Sequence, residues 1–530
     1  MNMALNPTKM RPDYTLYLVT DSTPAILKGQ DLPTVVEQAI RGGATIVQYR
    51  DKQSSTRDLI RTAQKLHAVT KAHNIPLLIN DRLDVALAIR CEGVHIGQDD
   101  TPLPIARRLL GPDAIIGVTA NSVAEVVEAA ESGADYLGLG TVFATPTKDD
   151  AKSIVGTAGL RAMLNALHAK GFAALPTVCI GGIKADNCQR VLYQSQGLEK
   201  RLDGVAVVSA IVAAADPRAA AAELKNLLVE PPPFAKVQQP FGKAIGKARI
   251  VEVVPRIVKA VGEAKPLCHN MTNLVVQNIA ANVAICIGAS PIMSNNGLEA
   301  ADLAKLGGAL VINMGTVTPE GLENYIIALK AYNAVGGSVL FDPVGAGATE
   351  QRRNAVKKLM AGGYFDVIKG NENEIKTVAG TSGSEQQRGV DFGASTLSME
   401  QKTKLVRDLA RQERNVVVMT GKQDVVSDGY RTHIISNGHK YLGDITGSGC
   451  CLGTAIASFL AVFKEDRLLA TIAAMLMFEI ASERAAKESN TVQGPGTFVP
   501  AFLDELYSIR ESSIAQTNWL HDTAEVEQVA

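Results

Sequence analysis

Eight short apolar, β-rich runs punctuate the first ~215 residues, and amphipathic stretches of helical length fill most of the gaps between them. The runs are Leu16–Thr20, Thr45–Tyr49, Leu77–Asn80, Gly93–Ile96, Ile115–Val118, Tyr136–Gly140, Val178–Gly181 and Val205–Ser209. Strands that alternate with helices form a parallel sheet, because each crossover returns the chain to the same edge. Eight βα units in about 220 residues match the size of a closed (β/α)8 TIM barrel. A doubly wound open sheet is the alternative topology.

A barrel carries its chemistry at the C-terminal ends of its strands. Strand two runs into Gln48-Tyr-Arg50-Asp-Lys52, strand three into Asn80-Asp81-Arg82, and strand four into Gly97-Gln-Asp99-Asp100. Strand five leads to Thr119, strand six to Thr145-Pro-Thr147-Lys148, strand seven to Gly181-Gly182, and strand eight to Ser209. Surface loops are polar in any protein, so one such ending says little; seven on one rim point to a site. Gln48, Arg50, Lys52 and Lys148 are donors suited to a diphosphate. Asp81 and Asp100, on neighbouring strands, suit a Mg²⁺ that keeps its waters and bridges phosphate oxygens. Gly181, Gly182 and Ser209 offer backbone N–H groups where barrels hold a phosphate monoester. The pattern reads as the joining of two phosphorylated substrates, with diphosphate leaving.

At 530 residues the chain exceeds one core and holds two or more domains. Its 46% hydrophobic content and formal net charge of −1 give no basic excess to attract nucleic acid. The longest apolar runs, such as Leu468–Ile480, are too short or interrupted to span a bilayer, and Met1–Asp13 has no apolar signal core. Seven cysteines without disulfide or zinc spacing fit a reducing compartment, so a cytoplasmic location is expected. Cys91, Cys179, Cys188, Cys268 and Cys286 read as buried small apolar residues, and Cys451 beside Cys450 is not taken as a redox pair. Pro231-Pro232-Pro233 and the aperiodic stretch after it mark a linker. The expected division is residues 1–228, a linker at 229–248, and residues 249–530.

The second half alternates as well, with extended runs at Pro291–Ser294, Ala309–Asn313, Ser338–Asp342, Val367–Lys369 and Val416–Thr420 between Ala-rich helices, and a hairpin over 424–442. This predicts a three-layer α/β domain with a mainly parallel sheet. Its strand ends lead to Asp342-Pro343, to Lys369-Gly370-Asn371 with Glu374 three residues on, and to Thr420-Gly421-Lys422. They converge on Gly447-Ser-Gly449-Cys450, a turn nearly devoid of side chains that opens an apolar helix. Backbone N–H groups there can gather on one anion, a site suited to a phosphoryl group in transfer. Cys450 in the first turn is expected to have a lowered thiol pKa and to serve as a base. Asp342 and Glu374 would hold Mg²⁺, with Lys369 and Thr420 on a triphosphate. Taken singly, each motif is also a turn, a capped helix start or a loop.

Gln-Tyr-Arg-Asp-Lys, Leu-Leu-Ile-Asn-Asp-Arg, Gly-Val-His-Ile-Gly-Gln-Asp-Asp, Thr-Pro-Thr-Lys and the late Gly-Gly-Ile together resemble the thiamine-phosphate synthases over residues ~14–225. The resemblance implies that Gln48, Arg50, Lys52, Asn80, Thr119 and Lys148 hold hydroxymethylpyrimidine diphosphate and that Asp81 and Asp100 bind Mg²⁺. Thr145, Thr147, Gly182, Val208 and Ser209 would hold the thiazole phosphate. In the second half, Cys-His-Asn-Met-Thr-Asn, Ala-Ser-Pro-Ile-Met-Ser, Asp-Pro-Val-Gly, Gly-Asn-x-x-Glu and Gly-Ser-Gly-Cys resemble hydroxyethylthiazole kinase, of the ribokinase-like group, over ~250–510. That resemblance puts Asn273, Met293 and Gly447 at the thiazole, Lys369 and Thr420 at ATP, and Cys450 beside the hydroxyethyl oxygen. Lys369 stands where the kinases carry Arg, keeping charge but not bidentate contact. It further implies a homo-oligomer, trimer-based and extensible to a hexamer, with sites built between subunits. The expected protein is therefore a bifunctional enzyme using Mg²⁺ and ATP on small molecules. The competing expectations are the same folds acting on other phosphorylated heterocycles, and a non-catalytic regulatory fusion.

Overall fold

The computed structural model describes residues 11–145, 154–237, 239–240, 244–381, 397–487, 492–517 and 519–529. They form two compact units that divide between Pro232 and Pro233. In the first, β1 (Leu16–Val19), β2 (Ile46–Tyr49), β3 (Leu77–Asn80), β4 (Gly93–Ile96), β5 (Ile115–Ala120), β6 (Tyr136–Gly140), β7 (Thr177–Ile180) and β8 (Gly204–Val207) close into a parallel barrel. Closure is direct, since β1 pairs with both β2 and β8. The open-sheet alternative is excluded. The run expected over Val205–Ser209 is strand only as far as Val207, and Ser209 instead starts a short helix, Ser209–Val212.

Alternation with period two divides the barrel side chains. Leu16, Leu18, Val47, Leu77 and Ile79 pack outward under the helices, whereas Tyr17, Val19, Ile46, Leu78, Tyr136 and Val178 fill the interior. Each aliphatic side chain so buried is worth roughly 1.5–3 kcal/mol. The helices begin where short polar residues supply caps. Asp31 accepts from Thr34 N ahead of Leu32–Arg41, and Ser55 accepts from Asp58 N ahead of Thr56–Ala72.

The second unit is a nine-stranded sheet between two helical layers. Its strands are β9 (Leu267–Met271), β10 (Ser290–Ile292), β11 (Ala309–Asn313), β12 (Ser338–Asp342), β13 (Val367–Asn371), β14 (Val416–Thr420), β15 (Asp424–Ser427), β16 (Thr432–Ile435) and β17 (Val526–Val529), in the order 10-9-11-12-13-14-15-16-17. The first six in that order are parallel and the last three antiparallel. The expected hairpin is β15–β16, though Lys440–Leu442 is a 3-10 turn rather than strand. Helices Ser448–Val462 and Arg467–Lys487 are apolar nearly all round because both are buried. Among the described residues, no helix is long and apolar enough to cross a membrane.

All seven cysteines are free thiols, but Cys91 and Cys286 are only half-buried, against expectation. Of the expected linker, Phe234, Gln239 and Ile245 belong to the second unit. Phe234 stacks on Tyr364 with ring centroids 4.6 Å apart. Gln239 joins the Arg467 N–H and the Lys464 carbonyl, and His433 Nε2 meets the Ile245 carbonyl at 3.0 Å.

Candidate active sites

Gln48 is next to last in β2 and Asn80 closes β3, so both sit toward the C-terminal rim of the barrel. Asp81 follows in a left-handed conformation (φ 61°), with its N–H donating to the His95 carbonyl at 2.9 Å. That bond ties the turn to β4. Asp100 Oδ2 accepts from Gly97 N at 2.6 Å. Burial, then contact with Asp100, pushes the Asp81 carboxyl up to about 6. Burial also works against charge on Asp100, but Asp81, the Gly97 N–H and Lys52 together hold it below its ordinary value. Two carboxyl groups forced to share a proton fit a divalent cation, which would replace that proton and relieve the repulsion.

The donors surround this pair. Lys52 Nζ lies 3.3 Å from Asp81 Oδ2. Arg50 is steadied by its N–H on Thr20 Oγ1 at 3.0 Å and by Asp21, whose Oδ2 is 3.7 Å from Nη1. Thr119 stands near the end of β5, half-buried. Beyond β6, β7 and β8 come Thr145, Gly182, and the pair Val208 and Ser209. Gly182 has φ 68°, and a Cβ there would meet the Phe143 Cβ at 2.9 Å, so only glycine lets the loop pass. Thr147 and Lys148 lie outside the described residues.

In the second unit, β9, β11, β12, β13 and β14 end on one edge, and polar groups collect there. Asp342 Oδ2 accepts from Asn313 Nδ2 at 2.9 Å and lies 3.4 Å from Lys369 Nζ. Asn273 Nδ2 reaches Asn313 Oδ1 at 3.0 Å and Cys450 Sγ at 3.5 Å. Gly447 takes φ 82° to start the helix Ser448–Val462. A Cβ on Gly449 would stand 3.4 Å from Lys369 Nζ, so the ammonium sits directly beneath the bare turn. Burial disfavours charge on Lys369, yet Asp342, Cys450 and Glu374 outweigh it and keep the group protonated. Burial raises Asp342, and its Oδ1 is a buried oxygen with no hydrogen-bond partner.

Glu374 completes a capping box with Asn371 and also accepts from Gly345 N at 2.8 Å. Burial, then Asp342, pushes it up to about 7. The orphaned Asp342 oxygen beside this second unwilling carboxylate fits a Mg²⁺. Among the described residues no three His, Cys, Asp or Glu side chains form a metal cage, so such an ion would rely on water and phosphate oxygens as well. Thr420 closes β14 beside Asn371, and Met293 follows β10, half-buried.

Cys450 departs from expectation. Burial, then Asp342, pushes its thiol up to about 11, and Lys369 and the two asparagines do not offset this. A helix N-terminus lowers a thiol pKa only when solvent or net positive charge favours the thiolate, and here an acid and burial oppose it.

Several residues with a place in these sites were not singled out from the sequence. Asn313 bridges Asn273 and Asp342, and being the polar last residue of an apolar strand is the signal that marks it. Arg352 holds the site's loops by donating to the Met314, Val344 and Gly315 carbonyls. Thr20 and Asp21 follow β1, where the sequence motif gives no hint of Arg50. Residues 380–400 read from the sequence as a mobile insertion, and 382–396 of them lie outside the described residues.

Known proteins match both halves. The family model for thiamine monophosphate synthase matches residues 16–211, and that for the hydroxyethylthiazole kinase family matches 258–512. The probable thiamine biosynthetic bifunctional enzyme of Schizosaccharomyces pombe is 42% identical over 97% of this chain and 98% of its own. The thiamine-phosphate synthase of Clostridium novyi is 45% identical over 41% of this chain and 98% of its own. The hydroxyethylthiazole kinase of Moorella thermoacetica is 41% identical over 48% of this chain and 92% of its own.

Proposed function

The chain belongs to the family of thiamine biosynthetic bifunctional enzymes, and from that premise we propose which residues carry each reaction. The first half is a thiamine-phosphate synthase and the second a hydroxyethylthiazole kinase. In our reading the kinase, residues 249–530, transfers the γ-phosphoryl of ATP to the hydroxyethyl oxygen of 4-methyl-5-(2-hydroxyethyl)thiazole. The synthase, residues 1–228, then joins that phosphate to hydroxymethylpyrimidine diphosphate. The carbon–oxygen bond to the diphosphate breaks, its electrons leave with the diphosphate, and the thiazole nitrogen bonds the methylene carbon.

In the synthase, Gln48, Arg50, Lys52, Asn80, Thr119 and Lys148 bind the pyrimidine diphosphate. Thr145, Thr147, Gly182, Val208 and Ser209 bind the thiazole phosphate. Asp81 and Asp100 would hold Mg²⁺, which supplies positive charge to a leaving diphosphate. In the kinase, Asn273, Met293 and Gly447 border the thiazole, Lys369 and Thr420 the ATP, and Asp342 and Glu374 would hold Mg²⁺. A thiol titrating near 11 is protonated at neutral pH. We therefore assign Cys450 to positioning the hydroxyethyl group by hydrogen bonding, with Lys369 and the bare Gly447–Gly449 turn stabilising transferred charge.

Leu274, Val275 and Leu298 are about 70% exposed or more (69%, 70% and 78%), and the first two directly follow Asn273. An apolar surface beside a substrate residue supports a homo-oligomer built on trimers, with the kinase site completed by a neighbouring subunit. The free thiols support a cytoplasmic location.

The observation that best supports this reading is the pairing of two phosphate-type sites on one chain, one ending in a carboxyl pair and one in a bare turn over a buried lysine. A coupled assay tests it. Hydroxyethylthiazole, hydroxymethylpyrimidine diphosphate and MgATP should yield thiamine monophosphate; omission of ATP should abolish product and thiazole phosphate should restore it. Folded protein that gives no product under any of these conditions would refute the substrate assignment.

A further inference from the structure

A continuous chain of side-chain hydrogen bonds crosses the barrel interior and connects two of the residues assigned to the diphosphate substrate. Gln48 Nε2 donates to the Tyr17 hydroxyl at 2.8 Å. The Tyr17 and Tyr136 hydroxyls meet at 2.7 Å. Tyr136 meets His95 Nδ1 at 2.7 Å, and His95 Nε2 meets Thr119 Oγ1 at 2.8 Å. Tyr17, Tyr136, Gln48 and His95 are all at least nine-tenths buried. The chain passes through five strands, from β2 through β1, β6 and β4 to β5.

The barrel makes room for it. A Cβ on Gly117 would lie 2.0 Å from the Tyr136 ring, and one on Gly138 would lie 3.0 Å from His95 Cε1. Two glycines on adjacent strands are thus emptied so that a tyrosine and a histidine can meet. A structural interior would be filled more simply with aliphatic side chains, because every buried polar group needs its partner.

Proton counting gives the chain a direction. Burial keeps both phenols protonated, so each has one hydrogen to give. If Gln48 donates to Tyr17, then Tyr17 donates to Tyr136 and Tyr136 donates to His95 Nδ1. The neutral imidazole then carries its hydrogen on Nε2 and donates to Thr119. The Thr119 hydroxyl, its lone pair occupied, has its own proton to offer elsewhere. For a neutral imidazole one other order satisfies the chain, its full reversal with the Gln48 amide turned over, in which Thr119 gives its proton to His95. A threonine so arranged would present only lone pairs to a ligand. Diphosphate oxygens are acceptors, so lone pairs there repel the substrate and a proton attracts it.

We propose that Tyr17, Tyr136 and His95 are positioning residues of the synthase, a polarised relay that holds His95 as the Nε2–H tautomer and turns the Thr119 hydroxyl into a donor for the diphosphate. The inference rests on the synthase reading above and adds the residues that set the polarity of its site.

The test combines tautomer and kinetics in the full-length protein. With ¹⁵N-labelled histidine, the resonance pair lost in His95→Asn identifies His95. In the otherwise unaltered protein it should report the Nε2–H tautomer, and a Nδ1–H pattern would overturn the proposal. Tyr136→Phe removes one hydroxyl and should lower synthase kcat/KM for the diphosphate by about tenfold, the scale of one buried hydrogen bond, while kinase turnover is unchanged. Tyr17→Phe should do the same. The double variant should be no worse than either alone, because a broken relay cannot be broken twice. Additive losses would mean that the tyrosines only pack the barrel, and unchanged kcat/KM in both single variants would equally refute the relay. If the unaltered protein makes no thiamine monophosphate, the synthase reading fails, whereas the tautomer still decides the relay.

Discussion

Asp81 and Asp100 illustrate how one residue's environment becomes a measurable requirement. Their carboxyls compete for charge, with Asp81 lifted to about 6 and Asp100 held low. Below about pH 6 a proton occupies the pair and competes with Mg²⁺, so the Mg²⁺ concentration for half-maximal synthase activity should rise as pH falls from 7 to 5. Asp100→Asn removes one negative charge and should lower synthase kcat/KM at least about a hundredfold at any Mg²⁺ level. A half-saturation point that ignores pH would remove the pair as the metal site. Cys450 supports the opposite kind of prediction. Loss of a general base costs about 10²–10⁴-fold, whereas loss of a hydrogen-bonding neighbour costs about tenfold. Cys450→Ala should fall in the smaller class, and the kinase rate should show no thiolate-like rise between pH 6 and 8.5. A loss beyond a thousandfold would restore Cys450 as the base.

Elements were more legible in the sequence than the contacts between them. All eight barrel strands could be read because each is a short apolar run with period two or continuous burial, bounded by polar ends. β9 was hidden: Leu-Cys-His-Asn-Met mixes polar residues into a buried strand, where His269 and Asn270 have partners that only the tertiary fold supplies. β17 is four residues at the far end of the chain, and its pairing with β16 spans about ninety residues that no local pattern bridges. The candidate site was legible at strand ends for the same reason the strands were, while the Cys450 pKa was not, because it depends on Asp342 more than one hundred residues away. A pairing of this long-range kind joins β15 to the helix Arg467–Lys487. Asp424 receives the Gly421 N–H at 2.8 Å and faces buried Glu479. Burial pushes Asp424 up to about 6, and burial with Asp424 nearby lifts Glu479 well above the carboxylate range. Since the folded pKa values exceed the unfolded ones, stability is greatest below about pH 4 for this pair and declines as pH rises through about 6. Glu479→Gln keeps shape without the charge. It should raise second-unit stability at pH 8 by about 1–2 kcal/mol and flatten its decline between pH 5 and 8, read by denaturant unfolding. A variant less stable than the parent at pH 8 would show that the ionised pair is favourable.

At the scale of the whole molecule, the two halves carry separate cores, separate sheets and separate sets of phosphate-type residues. Phe234, Gln239 and Ile245 bear on where the second half begins, because all three bond or stack within it. Phe234→Ala empties the stack on Tyr364 and should destabilise the second unit by about 3 kcal/mol, a cost that a flexible tether would not incur. The chemistry should follow the same division. Asp81→Ala leaves every residue of the kinase site untouched, so it should abolish thiamine monophosphate formation while ATP-dependent thiazole phosphate accumulates at the unaltered rate. Asn313→Ala removes the bridge between Asn273 and Asp342 and should slow the kinase, yet thiazole phosphate supplied from outside should still be converted at full synthase rate. Mixed in one tube, the two variants should together restore thiamine monophosphate from hydroxyethylthiazole, because the intermediate is a diffusible small molecule made at one site and used at the other. The yield of the mixture then measures something neither variant alone can. Restoration to about the parental rate means that free thiazole phosphate supplies the synthase. A mixture much slower than the parent before free thiazole phosphate has accumulated, with each single activity intact, would mean that the intermediate is passed within one molecule or assembly, and the advantage of having both enzymes on one chain would lie in that transfer.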